Sequence, residues 1–256
     1  MIRKMERAFF EYCRRRMLNG KHNDQQKTHL LVACMPKSGS TYLSTILSNL
    51  EGFQQGILVH AAGRREQELD VLQLVHYDDT NYVAQHHVRY SQGTKELMER
   101  FDVKPVVLVR NIYDAVVSFR DHFRNESTEN PMGYAFPYMK DWPDEKLEEL
   151  IVDVFLPWYF NFFMSWQECS NLCLLTYEEM VANPQSTIGK INKHFSLGIK
   201  DEDINQAVEL AGTKFTRKNV GKTGRGEHLN VYCKQRIERM AGYYGDTNFT
   251  LIGILR

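Results

Sequence analysis

The chain has 256 residues, 43% of them apolar, with 32 basic and 32 acidic side chains. That length and apolar share suffice to bury a full core, and one domain over residues 1–256 is expected. A formal net charge of zero argues against a nucleic-acid binder working through a global basic field, so any anion site must be a local gathering of cations.

Residues 1–20 open with Arg3, Lys4, Arg7 and Arg14 to Arg16 interleaved with Ile2, Met5, Phe9, Phe10 and Tyr12, which reads as a basic amphipathic helix packed on the body. Glu6 and Glu11 count against a transit peptide. The apolar run Leu30 to Cys34 predicts a strand over 30–35, and a helix is expected over 40–50. Between them stands Met35-Pro36-Lys37-Ser38-Gly39-Ser40-Thr41-Tyr42. A strand that runs through such a turn into a helix N-terminus offers consecutive N–H groups and partial positive charge to an anion. It is not a nucleoside-triphosphatase loop, because Cys34 stands where that pattern has its first glycine and Ser40 where it has its lysine.

A less regular stretch follows, with a possible strand near 57–60, then a strand over 82–87, a helix over 94–101, a strand over 105–110 and a helix over 112–123. The strand near 82–87 carries the neighbours His86 and His87, which point to opposite faces, so only one can face a pocket. The buried-type run Val106 to Val109 ends in Arg110, a guanidinium suited to phosphate, where a triphosphatase usually has an acid for Mg²⁺. Asn111 is placed to cap the next helix, with Asp114 in the position of a capping box, and Ser118 lies on the face of Asp114. Residues 125–142 form an aromatic loop, and residues 146–169 a helix bent at Pro157. A strand over 171–176 is followed by helices interrupted by a Gly-rich segment over 219–226. Trp158, Tyr159, Phe162, Phe163 and Trp166 read as core. Strands alternating with helices imply an α/β fold, a P-loop-like three-layer domain with a central parallel sheet flanked by helices, with ligands at the carboxyl ends of the strands.

Pro36-Lys37-Ser38-Gly39-Ser40-Thr41 and Arg110-Asn111-Ile112-Tyr113-Asp114 through Ser118 resemble the two cofactor signatures of sulfotransferases that use 3′-phosphoadenosine 5′-phosphosulfate (PAPS). Leu174 to Met180, followed by Asn183-Pro184, is similar to that family's strand end and Tyr-Glu-Asp/Glu-Met segment. The resemblance implies that Lys37 contacts the oxygen bridging phosphate and sulfate and that Ser38, Gly39, Ser40 and Thr41 cradle the 5′-phosphate. Arg110 and Ser118 would hold the 3′-phosphate, and Tyr177 and Phe215 the adenine. The family usually has Trp where this chain has Tyr42, which can still stack on a base. Its Arg-Lys-Gly element is displaced here to Arg217-Lys218, ahead of Gly221-Lys222-Thr223-Gly224-Arg225-Gly226. Lys218, Gly224 and Arg225 are the candidates to close over the 3′-phosphate, Arg225 being preferred.

The reaction so implied moves a sulfuryl group to a hydroxyl or amine of a small acceptor, which must lose a proton. The family's Lys-Thr/Ser-His-Leu segment aligns with Gln85-His86-His87-Val88, which favours His87 over His86 as the base and leaves His122 as a further candidate near the acceptor. PAPS is the expected co-substrate, without a metal, a transmembrane segment or a nucleic-acid partner. Five scattered cysteines suit a reducing, cytoplasmic setting. A nucleotide kinase and a non-catalytic nucleotide binder of the same fold remain open from the residues alone.

Overall fold

The computed structural model describes residues 27–60, 67–213 and 223–255. Five strands, β1 (His29–Cys34), β2 (Phe53–Gly56), β3 (Asn81–His86), β4 (Val103–Val109) and β5 (Cys173–Thr176), form one sheet in the order β2-β3-β1-β4-β5. Every neighbouring pair is parallel. The chain leaves β1 toward β2 on one side and leaves β4 toward β5 on the other, so the topology reverses between β1 and β4. The carboxyl ends of these two strands flank the crevice where such sheets take ligands.

Alternation along the strands builds a core on each face. Leu31, Ala33, Tyr82, Ala84, Val107 and Val109 turn to one side. They meet α3 (Gln92–Phe101), α4 (Ile112–Asn125), α6 (Leu156–Gln167) and α10 (Val231–Gly242) through residues such as Phe101, Phe119, Tyr159 and Ile237. Leu30, Val32, Cys34, Val106 and Leu108 turn to the other, against α1 (Ser40–Ser48), α7 (Tyr177–Ala182), α8 (Pro184–Phe195) and α9 (Asp201–Thr213). This is the three-layer α/β arrangement expected. No helix among the described residues is long and apolar enough to cross a membrane.

Three local expectations are corrected. The strand expected near 57–60 is β2, at Phe53–Gly56, because that segment pairs with Asn81 to Ala84, whereas Leu58 turns into the core. The stretch read as less regular contains α2 (Val71–Tyr77), whose N-terminus is capped by the Asp70 carboxylate accepting from Leu72 and Gln73 N–H. The helix expected over 146–169 is two, α5 (Asp144–Leu150) and α6, joined by a widened helical turn at Ile151–Phe155 just before Pro157, whose missing N–H cannot continue the regular ladder. The basic segment 1–20 lies outside the described residues.

Candidate active site at the sheet switch point

The loop between β1 and α1 is shaped by two left-handed residues, Lys37 (φ 64°) and Gly39 (φ 80°). At Gly39 the conformation strains ordinary side chains, and an added Cβ would also lie 2.8 Å from the Tyr177 ring and 2.9 Å from the Met180 methyl. Gly39 therefore lets the loop sit directly on α7 while it opens α1, whose first N–H groups have no carbonyl partner inside the helix. Those are the amides of Ser40, Thr41 and Tyr42, with Tyr42 also donating to the Gly39 carbonyl at 3.0 Å. Ser38 is wholly buried and spends its hydroxyl on the Met35 carbonyl at 2.6 Å, so it shapes the loop from within. Burial raises the Tyr42 phenol above its usual range, keeping it a neutral ring.

Arg110 follows β4 and is buried to 4% exposure, with its Nη1 donating to the Lys37 carbonyl at 2.8 Å and its guanidinium 4.1 Å above the Tyr177 ring centre. Tyr177 thus packs against both the β1–α1 loop and the arginine. Asn111 caps α4, its Oδ1 accepting from Tyr113 and Asp114 N–H, as the sequence predicts. Asp114 does something else. Its two carboxylate oxygens accept from Gly224 N–H at 2.8 Å and Gly226 N–H at 2.7 Å, clamping a segment 110 residues later in the chain onto the first turn of α4. Gly226 must be glycine there, since a Cβ would stand 2.4 Å from the Tyr113 backbone. Arg225, between them, donates to Asp121 Oδ2 at 2.5 Å. Burial alone would raise the Asp121 carboxyl, but Arg225 and Arg120 hold it below the usual range. Ser118 lies on α4 between these groups and is 2% exposed.

The two histidines at the end of β3 have separate environments. His86 is buried and its Nε2 accepts from Leu58 N–H at 2.9 Å. Burial, with the neighbouring His87 charge, lowers its pKa to about 4, so it is neutral near pH 7. His87 turns the other way, with Nδ1 2.9 Å from the Cys34 carbonyl and its ring edge-on to Trp158 at 6.4 Å. A carbonyl only accepts, so Nδ1 carries the proton and Nε2 keeps its lone pair.

Lys37, Arg110, Tyr177 and the loop Ser38 to Tyr42 are therefore gathered at the ends of β1 and β4, with His87 tied to the last residue of β1, while Ser118 lies buried two turns into α4. Phe215 and Lys218 fall outside the described residues. Sequence reasoning missed three participants. Tyr159, read as core, donates its hydroxyl to the Pro36 carbonyl at 2.7 Å and so pins the β1–α1 loop from α6. Asp114 is a tertiary clamp rather than a capping-box acid. Glu126, one residue past α4, reaches Lys37, with Oε1 3.8 Å from Nζ. A buried-helix tyrosine and an acid at a helix C-terminus carry no local signature of such contacts; the only sequence signal for Asp114 was its place in the Arg110 motif.

A family model for the sulfotransferase domain matches residues 27–223. Sulfotransferase 6B1 of Danio rerio is 31% identical over 133 residues, covering 48% of this chain and 43% of that protein, so the matched part is under half of the relative's length. Among solved structures, the mouse sulfotransferase SULT7A1 complexed with PAP superposes with a TM-score of 0.64 at 16% identity, over 89% of this chain and 88% of that one. Retinol dehydratase in complex with androsterone and inactive cofactor PAP gives 0.56 at 17% identity, over 93% and 86%. At these identities the structures speak for the fold, and the match over 27–223 speaks for the family: the chain belongs to the sulfotransferases.

Proposed function

We propose that this chain is a PAPS-dependent sulfotransferase that transfers a sulfuryl group to a hydroxyl or amine of a small acceptor and releases adenosine 3′,5′-bisphosphate (PAP). One observation carries the reading. A loop with two left-handed residues, a buried arginine and a histidine whose Nδ1 bonds the Cys34 carbonyl converge where the sheet topology reverses. The structural neighbours that hold PAP support the choice of nucleotide.

The residues present fit such a ligand. Backbone amides at the start of α1 would receive the 5′-phosphate, with Lys37 set at the leaving oxygen. Arg110 and Ser118 would receive the 3′-phosphate, the arginine held in place by the Lys37 carbonyl and the Tyr177 face. Tyr42, Tyr177 and Phe215 are assigned to the adenine side, and Lys218, Gly224 and Arg225 to the closing segment. Arg225 would have to share its bond to Asp121 to meet a phosphate. Bound PAPS supplies the activated sulfuryl group. His87 then takes the acceptor proton on Nε2, the resulting imidazolium being favoured by the Cys34 carbonyl at Nδ1. His86 is assigned the supporting role, because its Nε2 is already used by Leu58 N–H.

The acceptor is assigned to the space beside His87 and the aromatic loop, where Tyr134, Phe136 and Tyr138 are exposed, Tyr134 edge-on to Phe136 and Phe136 stacked on Tyr138 at 5.5 Å and 18°. Metal independence and a cytoplasmic setting belong to the proposal, the latter supported by free Cys34, Cys169, Cys173 and Cys233. The test is incubation of the purified chain with PAPS and a panel of phenols, alcohols and amines, following PAP release and sulfated product. Acceptor-dependent PAP release is expected. Tight PAP binding with no turnover across the panel would favour a non-catalytic nucleotide binder, and turnover of ATP with Mg²⁺ a kinase.

A further inference from the structure

We propose that Glu126 is a positioning residue for Lys37: its carboxylate is the counterion that holds the Lys37 ammonium until the phosphosulfate displaces it. The inference rests on the reading of Lys37 given above and concerns a residue that lies outside both cofactor signatures, eight positions beyond Ser118.

Three observations carry it. First, Lys37 touches both ends of α4, through its carbonyl to Arg110 before the helix and through its ammonium to Glu126 after it. The Arg110 and Lys37 side chains thus link the segment before α4 to the residue after it. Second, both partners are drawn in from solvent, the Lys37 side chain 15% and the Glu126 side chain 35% exposed. Third, Glu126 is the C-cap of α4, its N–H bonded to the His122 carbonyl at 2.9 Å. A helix C-terminus carries partial negative charge and disfavours an acid. The local rule is broken, and the Lys37 ammonium compensates, with Nζ 3.8 Å from Oε1, while His122 Nδ1 lies 3.2 Å from Oε2.

A carboxylate next to the lysine that grips a phosphosulfate opposes the incoming anion twice, by occupying the cation and by like charge. It therefore acts against tight binding and in favour of release. Once the anion takes Lys37, His122 is the partner left beside Glu126, so the carboxylate is not stranded.

The experiment is calorimetric titration of PAPS, without acceptor, into the full chain and into Glu126→Gln, Lys37→Ala and the double variant. An ion pair this exposed is weak, so Glu126→Gln should tighten PAPS binding by about two- to fivefold. The gain should vanish in the Lys37→Ala background, and His122→Ala, which leaves Glu126 more firmly on Lys37, should weaken binding. Glu126→Ala repeats the measurement should the glutamine variant fold poorly. If Lys37→Ala binds PAPS as the parent does, the ammonium adds nothing to binding and the counterion role goes, whereas the place of Lys37 at the leaving oxygen is overturned only if that variant also turns over at the parent rate. If Lys37→Ala weakens binding but Glu126→Gln matches the parent, or tightens equally without Lys37, only the counterion role is overturned.

Discussion

Replacing Asp114 by Asn tests the clamp between α4 and the Gly-rich segment. In the structure the carboxylate is buried and accepts two backbone N–H groups, from Gly224 at 2.8 Å and Gly226 at 2.7 Å. An asparagine has the same outline but only one acceptor oxygen, and its NH₂ would face the second amide. One charge-assisted bond worth about 1.5 to 3 kcal/mol is lost and a buried donor is left unsatisfied, offset in part by no longer burying a charge. A net cost of about 2 to 3 kcal/mol is expected, which for a chain of this size lowers the melting midpoint by about 4 to 12 °C. PAP affinity should fall as well, because the segment carrying Arg225 would then be ordered only on binding. Calorimetry gives the midpoint and the affinity, and amide exchange reports Gly224 and Gly226 directly. A variant melting within about 1 °C of the parent, with both glycine amides still protected, would refute the clamp.

His87→Ala should lower turnover by roughly 10² to 10⁴-fold with PAP affinity nearly intact, measured as PAP release against a calorimetric Kd; a larger turnover loss in His86→Ala would move the base to the other face of β3. His86 should instead report through stability: its pKa, lowered to about 4, lies below the unfolded value, so the unfolded chain binds the extra proton and stability is lost as pH falls from about 6.5 to 4, by up to about 3 kcal/mol. Urea unfolding across that range should show a smaller slope in His86→Gln, and an unchanged slope would remove His86 as the source. Arg110→Ala should weaken PAP binding at least about tenfold, whereas Lys37→Ala should cost turnover more than affinity. PAP at about 100 times its Kd should stabilise the fold by roughly 2.7 kcal/mol with or without EDTA, AMP by much less; strong protection by ATP with Mg²⁺ and none by PAP would sink the 3′-phosphate assignment.

What the sequence by itself determined was whatever is encoded over a few consecutive residues. Buried runs such as Leu30 to Cys34 and Val106 to Val109 announced two central strands, because a strand covered on both faces must be apolar at every position. Lys37 to Tyr42 announced a turn from strand into helix, since chain order alone places those residues between a strand end and a helix start. Asn111 announced its cap, because capping is satisfied within three residues. The short edge strand β2 was displaced by several residues in the reading because its four residues, Phe53-Gln54-Gln55-Gly56, are defined by pairing with β3 and not by their own pattern. What only the tertiary structure decided were the contacts closed across many residues. Nothing near Asp114 says that its carboxylate meets amides 110 and 112 positions away, nor anything near Tyr159 that its hydroxyl serves Pro36, 123 positions back. The separate environments of His86 and His87 were of the same kind. Alternation along a strand says that two neighbours face opposite ways, but the layer each one faces follows from the packing of Leu58 on one side and of Cys34 and Trp158 on the other.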